Sequence, residues 1–273
     1  MKFSIITPVL NGAAFLDAAI ASVRNQTRRD FEIIVVDGGS SDGSPDIVRR
    51  HMAEEPAIRL IEAPGLSQYA SIARGFEAAT GEIFAWLNAD DLYTPWAFET
   101  VARRFARARD VQWVSGLPGC WDGKDNLQFI RAEAWRPRAL IRAGWCHMDL
   151  LGFIQQESVF FRRALYDGLS EKDRSAFAGA DLAGDFILWK RFARRARLDV
   201  IPTSLGGFRR HGDNRSSRRI EAYMEEARRD GAVYLPWPLT GLARRVFQMA
   251  SASRAMALAR IEDELTRPPA PTG

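Results

Sequence analysis

Residues 31–37, FEIIVVD, form an almost unbroken apolar, β-branched run that ends on a carboxylate. A strand of that composition is buried on both faces, a condition met in a parallel sheet covered by helices on each side. The neighbouring sequence supplies such helices. KFSIIT (2–7) reads as a short strand ended by Pro8. Residues 11–27 follow it with Phe15, Leu16, Ala19, Ile20 and Val23 at helical spacing. Ser44-Pro45 opens a second helix over 45–55. IRLIEA (58–63) is a third strand, and a helix from Tyr69 to Thr80 ends at Gly81 as its C-cap. EIFAWLN (82–88) is a fourth strand. Strands alternating with helices predict an α/β fold with an open, mostly parallel, Rossmann-like sheet flanked by helices.

In such sheets ligands bind outside the carboxyl ends of the strands. Thr7-Pro8, Asp37-Gly38-Gly39 and Asn88-Ala89-Asp90-Asp91 all fall at strand ends, so three polar clusters are expected on one rim. Adjacent carboxylates at a strand end can ligate a hard cation such as Mn²⁺ or Mg²⁺, or cap the helix expected near Pro95. Asp37 can accept from a nucleobase N–H or open an Asx turn in DGGSSDG. GxxxxGK[ST] and GxGxxG are both absent, which argues against a P-loop and a dinucleotide fingerprint. A nucleotidyltransferase would need a basic, glycine-rich loop after the first strand, and TPVLNGAAFL has no basic residue.

The chain has 273 residues, 47% of them hydrophobic, enough for a large domain with an appendage. A net charge of +4 suits an anionic ligand or a membrane surface, and no nucleic-acid partner is expected. Cys120 and Cys146 lack metal-ligand spacing and suit a reducing compartment. Pro8 and Asn11-Gly12 interrupt the first apolar run too early for a signal peptide, so a cytoplasmic location is expected.

After a helix over 94–108 the pattern loosens. Trp113, Trp121, Trp135 and Trp145 cluster there, either as core or as stacking faces for a sugar acceptor. QESVFFRRALYDGL (156–169) resumes a strand and a helix, GDFILWKRFARRA (184–196) is helical, and GGFRRHGDNRSSRR (206–219) reads as a basic loop. Two helical stretches follow, split by LPWPL (235–239), and the final TRPPAPTG is expected to fray. Leu242, Val246, Met249, Ala252, Met256 and Ala259 form a stripe on the last helix, suited to packing or to a peripheral membrane contact.

SIITPVLNGAAFLDAAIASVRNQTRRDFEIIVVDGGSSDGS followed by ATGEIFAWLNADDLYTP resembles the family-2 glycosyltransferases of the GT-A fold. The likeness continues through QQESVFFRRALYDGL, AGDFILWKRFARRA and GGFRRHGDNRSS, over residues 3–217. It implies a GT-A-like catalytic domain over 1–217 and a helical extension over 218–273. It implies an inverting transfer from a nucleotide-sugar donor, a UDP-sugar, to a saccharide or lipid-linked acceptor in cell-surface glycan synthesis.

By the same resemblance, Thr7, Pro8, Asp37, Gly39, Ser40, Arg74, Asn88, Ala89 and Asp90 would bind the nucleotide. Asp90, Asp91 and His211 would hold Mn²⁺ or Mg²⁺, with Asn88 standing where the family's D-x-D motif has its first Asp. Arg209, Arg210 and Arg215 would contact the diphosphate, by the fork geometry of Arg. Asp185 in DFILW would be the catalytic base, although it also suits a helix N-cap. Ala70, Ala73 and Ile187 depart from the family pattern. Asn88 and Ala73 motivate the alternative of an inactive nucleotide-sugar-binding protein.

Overall fold

The computed structural model describes residues 1–132, 136–212 and 214–266; Trp135 and the tail from 267 lie outside them. The first half alternates as its composition requires. β1 (Phe3–Val9) leads to α1 (Ala13–Arg24), β2 (Phe31–Asp37) to α2 (Ser44–Glu54), and β3 (Ile58–Glu62) to α3 (Gln68–Ala78). Then come β4 (Ile83–Trp86), β5 (Leu92–Tyr93), α4 (Ala97–Arg107) and β6 (Trp113–Ser115). A hairpin of β7 (Gly119–Asp122) and β8 (Leu127–Ile130) precedes α5 (Arg138–Arg142). Next are β9 (Val159–Arg162), α6 (Arg163–Asp167), α7 (Glu171–Ala178) and α8 (Gly184–Arg195). The remaining elements are β10 (Leu198–Val200), β11 (Gly206–Arg210), α9 (Arg215–Arg218), α10 (Ile220–Arg229) and α11 (Leu239–Thr266).

Among the described residues, seven strands form one sheet in the order β10-β6-β9-β4-β1-β2-β3. Its pairs are parallel except those made by β9. Every residue of β2 is buried. Ile33 and Val35 join one core with Leu16, Ile20 and Phe98; Ile34 and Val36 join the other with Ile72, Phe76 and Trp189. The period-two alternation thus divides one apolar strand between two helical layers. A second, four-stranded sheet, β5-β11-β7-β8, stands beside it.

Several expectations need correction. Pro8 does not end β1, which pairs with β2 through Val9. β4 pairs with β1 only as far as Ile6, so a residue without an N–H is tolerated beyond that point. α3 ends at Ala78 with Ala79 extended, so Gly81 is not its cap. The basic loop at 206–219 opens with a strand, β11, antiparallel to β5 and parallel to β7. Gly-Gly has low strand preference, but here the missing side chains are what the pairing requires. A Cβ on Gly207 would lie 1.7 Å from the Trp121 ring, and one on Gly206 2.3 Å from the Glu157 carbonyl oxygen. Trp113 is core, stacked on Trp189 at 5.6 Å. On α11, Phe247 and Ala243 pack inward, while Leu242, Val246, Met249 and Met256 face out.

The glycine requirement is testable. Gly207→Ala is expected to destabilise the chain by about 2 kcal/mol, an overpacking cost. Gly212→Ala, where an added Cβ meets nothing within 4 Å, serves as the control. Urea unfolding that shows no difference between the two would reject this account of the second sheet.

Candidate functional site

The parallel register sets the rim. Val9 lies opposite Asp37, and Ile6 opposite Trp86, so the segments after β1, β2 and β4 emerge side by side. A Cβ on Gly12 would touch both Val9 and Ala89, at 3.0 and 3.1 Å. Thr7 and Pro8 are buried in the floor of this rim. Asp37 Oδ2 accepts from the amides of Gly39 and Ser40 at 3.1 and 3.0 Å. Gly39, at φ +101°, takes the left-handed conformation that lets both amides converge. Asp37 Oδ1 is buried with no hydrogen-bond partner. Ser40 Oγ accepts from the Asn11 amide at 2.8 Å.

The paired carboxylates of the fourth strand end have separate fates. Asp91 is fully buried. It accepts from the Arg209 amide at 3.1 Å, Asn88 Nδ2 at 3.1 Å and Gln156 Nε2 at 3.2 Å. Burial, with Asp90 and Glu157 nearby, pushes its carboxyl well above the usual range, against the pull of those donors. Asp91, which the sequence suggested as a metal ligand, is thus engaged by three protein donors. Asp90 is partly exposed and pairs through Oδ2 with His211 Nε2 at 3.0 Å. Asn214 Nδ2 reaches the same oxygen at 3.3 Å, and its Oδ1 accepts from the His211 amide at 2.8 Å.

Among the described residues, no three His, Cys, Asp or Glu side chains gather as a metal cluster. The donor set nonetheless fits a divalent ion of the Mn²⁺ or Mg²⁺ kind. Such ions take one or two protein carboxylates and complete their shell with substrate phosphates and water. Asp90 and His211 are the residues that could hold it.

The arginines divide as well. Arg209 is 2% exposed, stacked on Phe15 at 5.0 Å and paired with Asp125 at 3.1 Å. Its Nη2 is nonetheless buried without a hydrogen-bond partner among the described residues. Arg210 is exposed. Arg215 pairs with Asp181 and donates to Gln68 Oε1 at 3.2 Å, and Gln68 donates to Asn88 Oδ1 at 2.8 Å. Arg74 is exposed and pairs with Glu77 at 3.1 Å; the structure does not bring it to this network.

Asp185 lies in the first turn of α8, half-buried. Burial pushes its carboxyl up to about 6, against hydrogen bonds from the Phe186 amide at 2.8 Å and the Tyr223 hydroxyl at 3.1 Å. Glu157, 3% exposed, is pushed up to about 8 by burial, with Asp185 and Asp90 contributing. Glu157, Asn214 and Tyr223 escaped the reading of the sequence. Glu157 had a signal, an isolated acid against the apolar run VFF; Tyr223 had none, since its partner is distant in the chain.

Asn88 can be tested through its donor. Asn88→Asp replaces the amide that donates to Asp91 with a third acid, and is expected to cost about 2 kcal/mol at neutral pH. Thermal melts that match wild type would show that Asn88 does not support Asp91.

The sequence model of glycosyl transferase family 2 matches residues 4–169. The uncharacterized glycosyltransferase alr2836 of Nostoc is 37% identical over 127 residues, 46% of this chain and 39% of that protein. The PGL/p-HBAD biosynthesis glycosyltransferase of Mycobacterium bovis is 33% identical over 173 residues, 60% of each chain. The chain therefore spans 39% and 60% of the lengths of these two relatives. Among solved structures, S. aureus TarS in complex with UDP-GlcNAc aligns with a TM-score of 0.61 at 16% identity, over 83% of this chain and 64% of that one. Mannosyltransferase PcManGT from Pyrobaculum calidifontis, in complex with GDP-Man and Mn²⁺, gives 0.60 at 18%, over 98% and 76%. At these identities the likeness speaks for the fold, an α/β sheet of the GT-A kind. With more than half of its length matched by the family's own sequence model, the chain belongs to glycosyl transferase family 2.

Proposed function

We propose that the protein transfers a sugar, with inversion, from a UDP-sugar to a hydroxyl of a saccharide or lipid-linked acceptor in glycan synthesis. The observation that supports this reading is Asp185, a half-buried carboxyl pushed up to about 6 by burial, whose charge, like that of Asp90, acts on Glu157. A general base is most effective when its pKa lies near working pH. Asp185 takes the acceptor O–H proton as that oxygen forms its bond to the anomeric carbon. The bond from that carbon to the diphosphate oxygen breaks, and UDP leaves with the electron pair.

Asp37 Oδ1, buried without a partner, accepts from the uracil imide N–H. Thr7, Pro8 and Ala89 wall the nucleotide, and the Gly39 and Ser40 amides keep Asp37 oriented. Arg210 and Arg215 face the diphosphate charge. A divalent ion held by Asp90 and His211 would supply positive charge to the diphosphate oxygens. Asn88 serves the site indirectly, as donor to Asp91 and acceptor from Gln68.

No described helix is long and apolar enough to cross a membrane. A peripheral contact is part of the proposal, because α11 turns Leu242, Val246 and Met249 outward beside the exposed Arg245. Co-sedimentation with anionic phosphatidylglycerol vesicles is expected, and Met249→Asp should weaken it. Equal recovery from both supernatants would reject the contact.

The central test follows UDP release from UDP-sugars with Mn²⁺. Asp185→Asn is expected to lower kcat about a hundredfold or more while UDP binding stays within about twofold. The acidic limb of kcat/KM should fall near pH 6, because Asp185 must be ionised to accept the proton. Turnover by Asp185→Asn at the wild-type rate would sink the base assignment. UDP binding without turnover of any nucleotide sugar would favour the inactive binding protein instead.

A further inference from the structure

Asp185 is held from the side of the chain that lies beyond the matched family segment. Tyr223, on α10, is buried and donates its hydroxyl to Asp185 Oδ1 at 3.1 Å. One turn on, Glu226 accepts from three consecutive backbone amides: Asp181 at 2.8 Å, Leu182 at 2.7 Å and Ala183 at 2.8 Å. Those amides belong to the loop that delivers Asp185 into α8. Tyr69, on α3, closes the third side. Its hydroxyl donates to the Leu182 carbonyl at 2.9 Å, and its ring lies 2.5 Å from where a Cβ on Gly184 would be.

We propose that Tyr223 and Glu226 are positioning residues for the base: Tyr223 fixes the rotamer of the Asp185 carboxylate, and Glu226 fixes the backbone that carries it. The inference rests on the reading of Asp185 as the base. It makes α10 part of the catalytic domain, whereas the sequence had suggested a boundary at 217. A carboxylate free to rotate would spend much of its time turned from the acceptor hydroxyl, and proton transfer depends on that alignment.

The groups facing Asp185 from the elements around it are Tyr223 and Glu226 on α10, Tyr69 on α3 and Glu157 in the turn before β9. Arg215 and Arg219 stand one layer out, on Asp181. The two α10 residues act on the carboxylate with opposite sign. The Tyr223 hydroxyl favours the ionised form by donating to it, and the negative charge of Glu226 disfavours it. Glu157, pushed up to about 8, stays mostly neutral across the acidic limb and does not confuse the readout.

The experiment compares pH profiles of kcat/KM for wild type, Tyr223→Phe, Glu226→Gln and Asp185→Asn, with thermal melts as a check on folding. Tyr223→Phe keeps the ring that packs edge-on against Phe153 at 5.2 Å, so it should fold. Its acidic limb is expected to move up by about half a pH unit or more, with kcat reduced several-fold and donor KM within about twofold. Glu226→Gln should move the limb down and also lower kcat. A merely structural role would lower stability and leave the limb in place. An unmoved limb in folded Tyr223→Phe, alongside an inactive Asp185→Asn, overturns this inference and spares the base assignment. An active Asp185→Asn sinks both.

Discussion

The architecture turns on one buried carboxylate. Asp91 gathers an amide from β11, a side-chain amide from the end of β4 and another from the turn before β9. Those three donors come from segments that no local preference would bring together. The bond to the Arg209 amide ties the second sheet to the segment that follows β4, the central strand of the first. A buried acid with several donors is stable only when all are present, because each lost partner leaves a desolvated oxygen. Asp91 therefore sets where β11 ends, and the end of β11 sets where His211 stands. The neighbouring Asp90 is left to face the rim. Of two adjacent acids, one builds the site and the other serves it.

That division explains what could be read in advance. The strands of the first half were legible because their pattern is local: FEIIVVD is apolar on both faces, and the helices beside it repeat at their own period. The rim followed from strand direction alone. Asp37 and Asp90 were legible as polar residues at strand ends, while His211 and Asp185 were singled out through the family resemblance. What escaped was whatever depends on tertiary contact. GGFRR reads as a loop by composition but forms a strand, since only glycine lets Trp121 and the Glu157 backbone approach. Arg209 reads as exposed in a basic loop but is buried against Phe15 and paired with Asp125. Whether a charged residue faces in or out depends on register across two sheets, which no window of sequence reports.

The electrostatics of the rim follow from the same geometry. Asp90, Asp91, Glu157 and Asp185 lie close enough for the buried ones to disfavour one another's ionisation. In water such a cluster would be screened; enclosed by protein, Asp91 and Glu157 hold their protons more tightly than carboxyls in water do. An anionic diphosphate would be repelled by such a floor if nothing intervened. Positive charge is available at Arg210 and Arg215, and a cation held by Asp90 and His211 would add to it. On the proposed reading, donor and cation would stabilise each other's presence.

A base of this kind faces opposing demands. Burial raises its affinity for a proton, which helps it accept one, but too much burial would keep it neutral and useless as a base. Each hydrogen bond to Asp185 restores some ionised character. The donors come from its own helix and from α10, so the balance is struck between two parts of the chain. A helix N-terminus alone would favour ionisation and lower the pKa. Here burial outweighs it and pushes Asp185 up to about 6, close to the pH at which a base, as proposed, would exchange a proton most easily. It follows that the segment beyond 217 is not an accessory to the fold. Through the Tyr223 hydroxyl and the Glu226 charge, α10 acts directly on the Asp185 carboxylate.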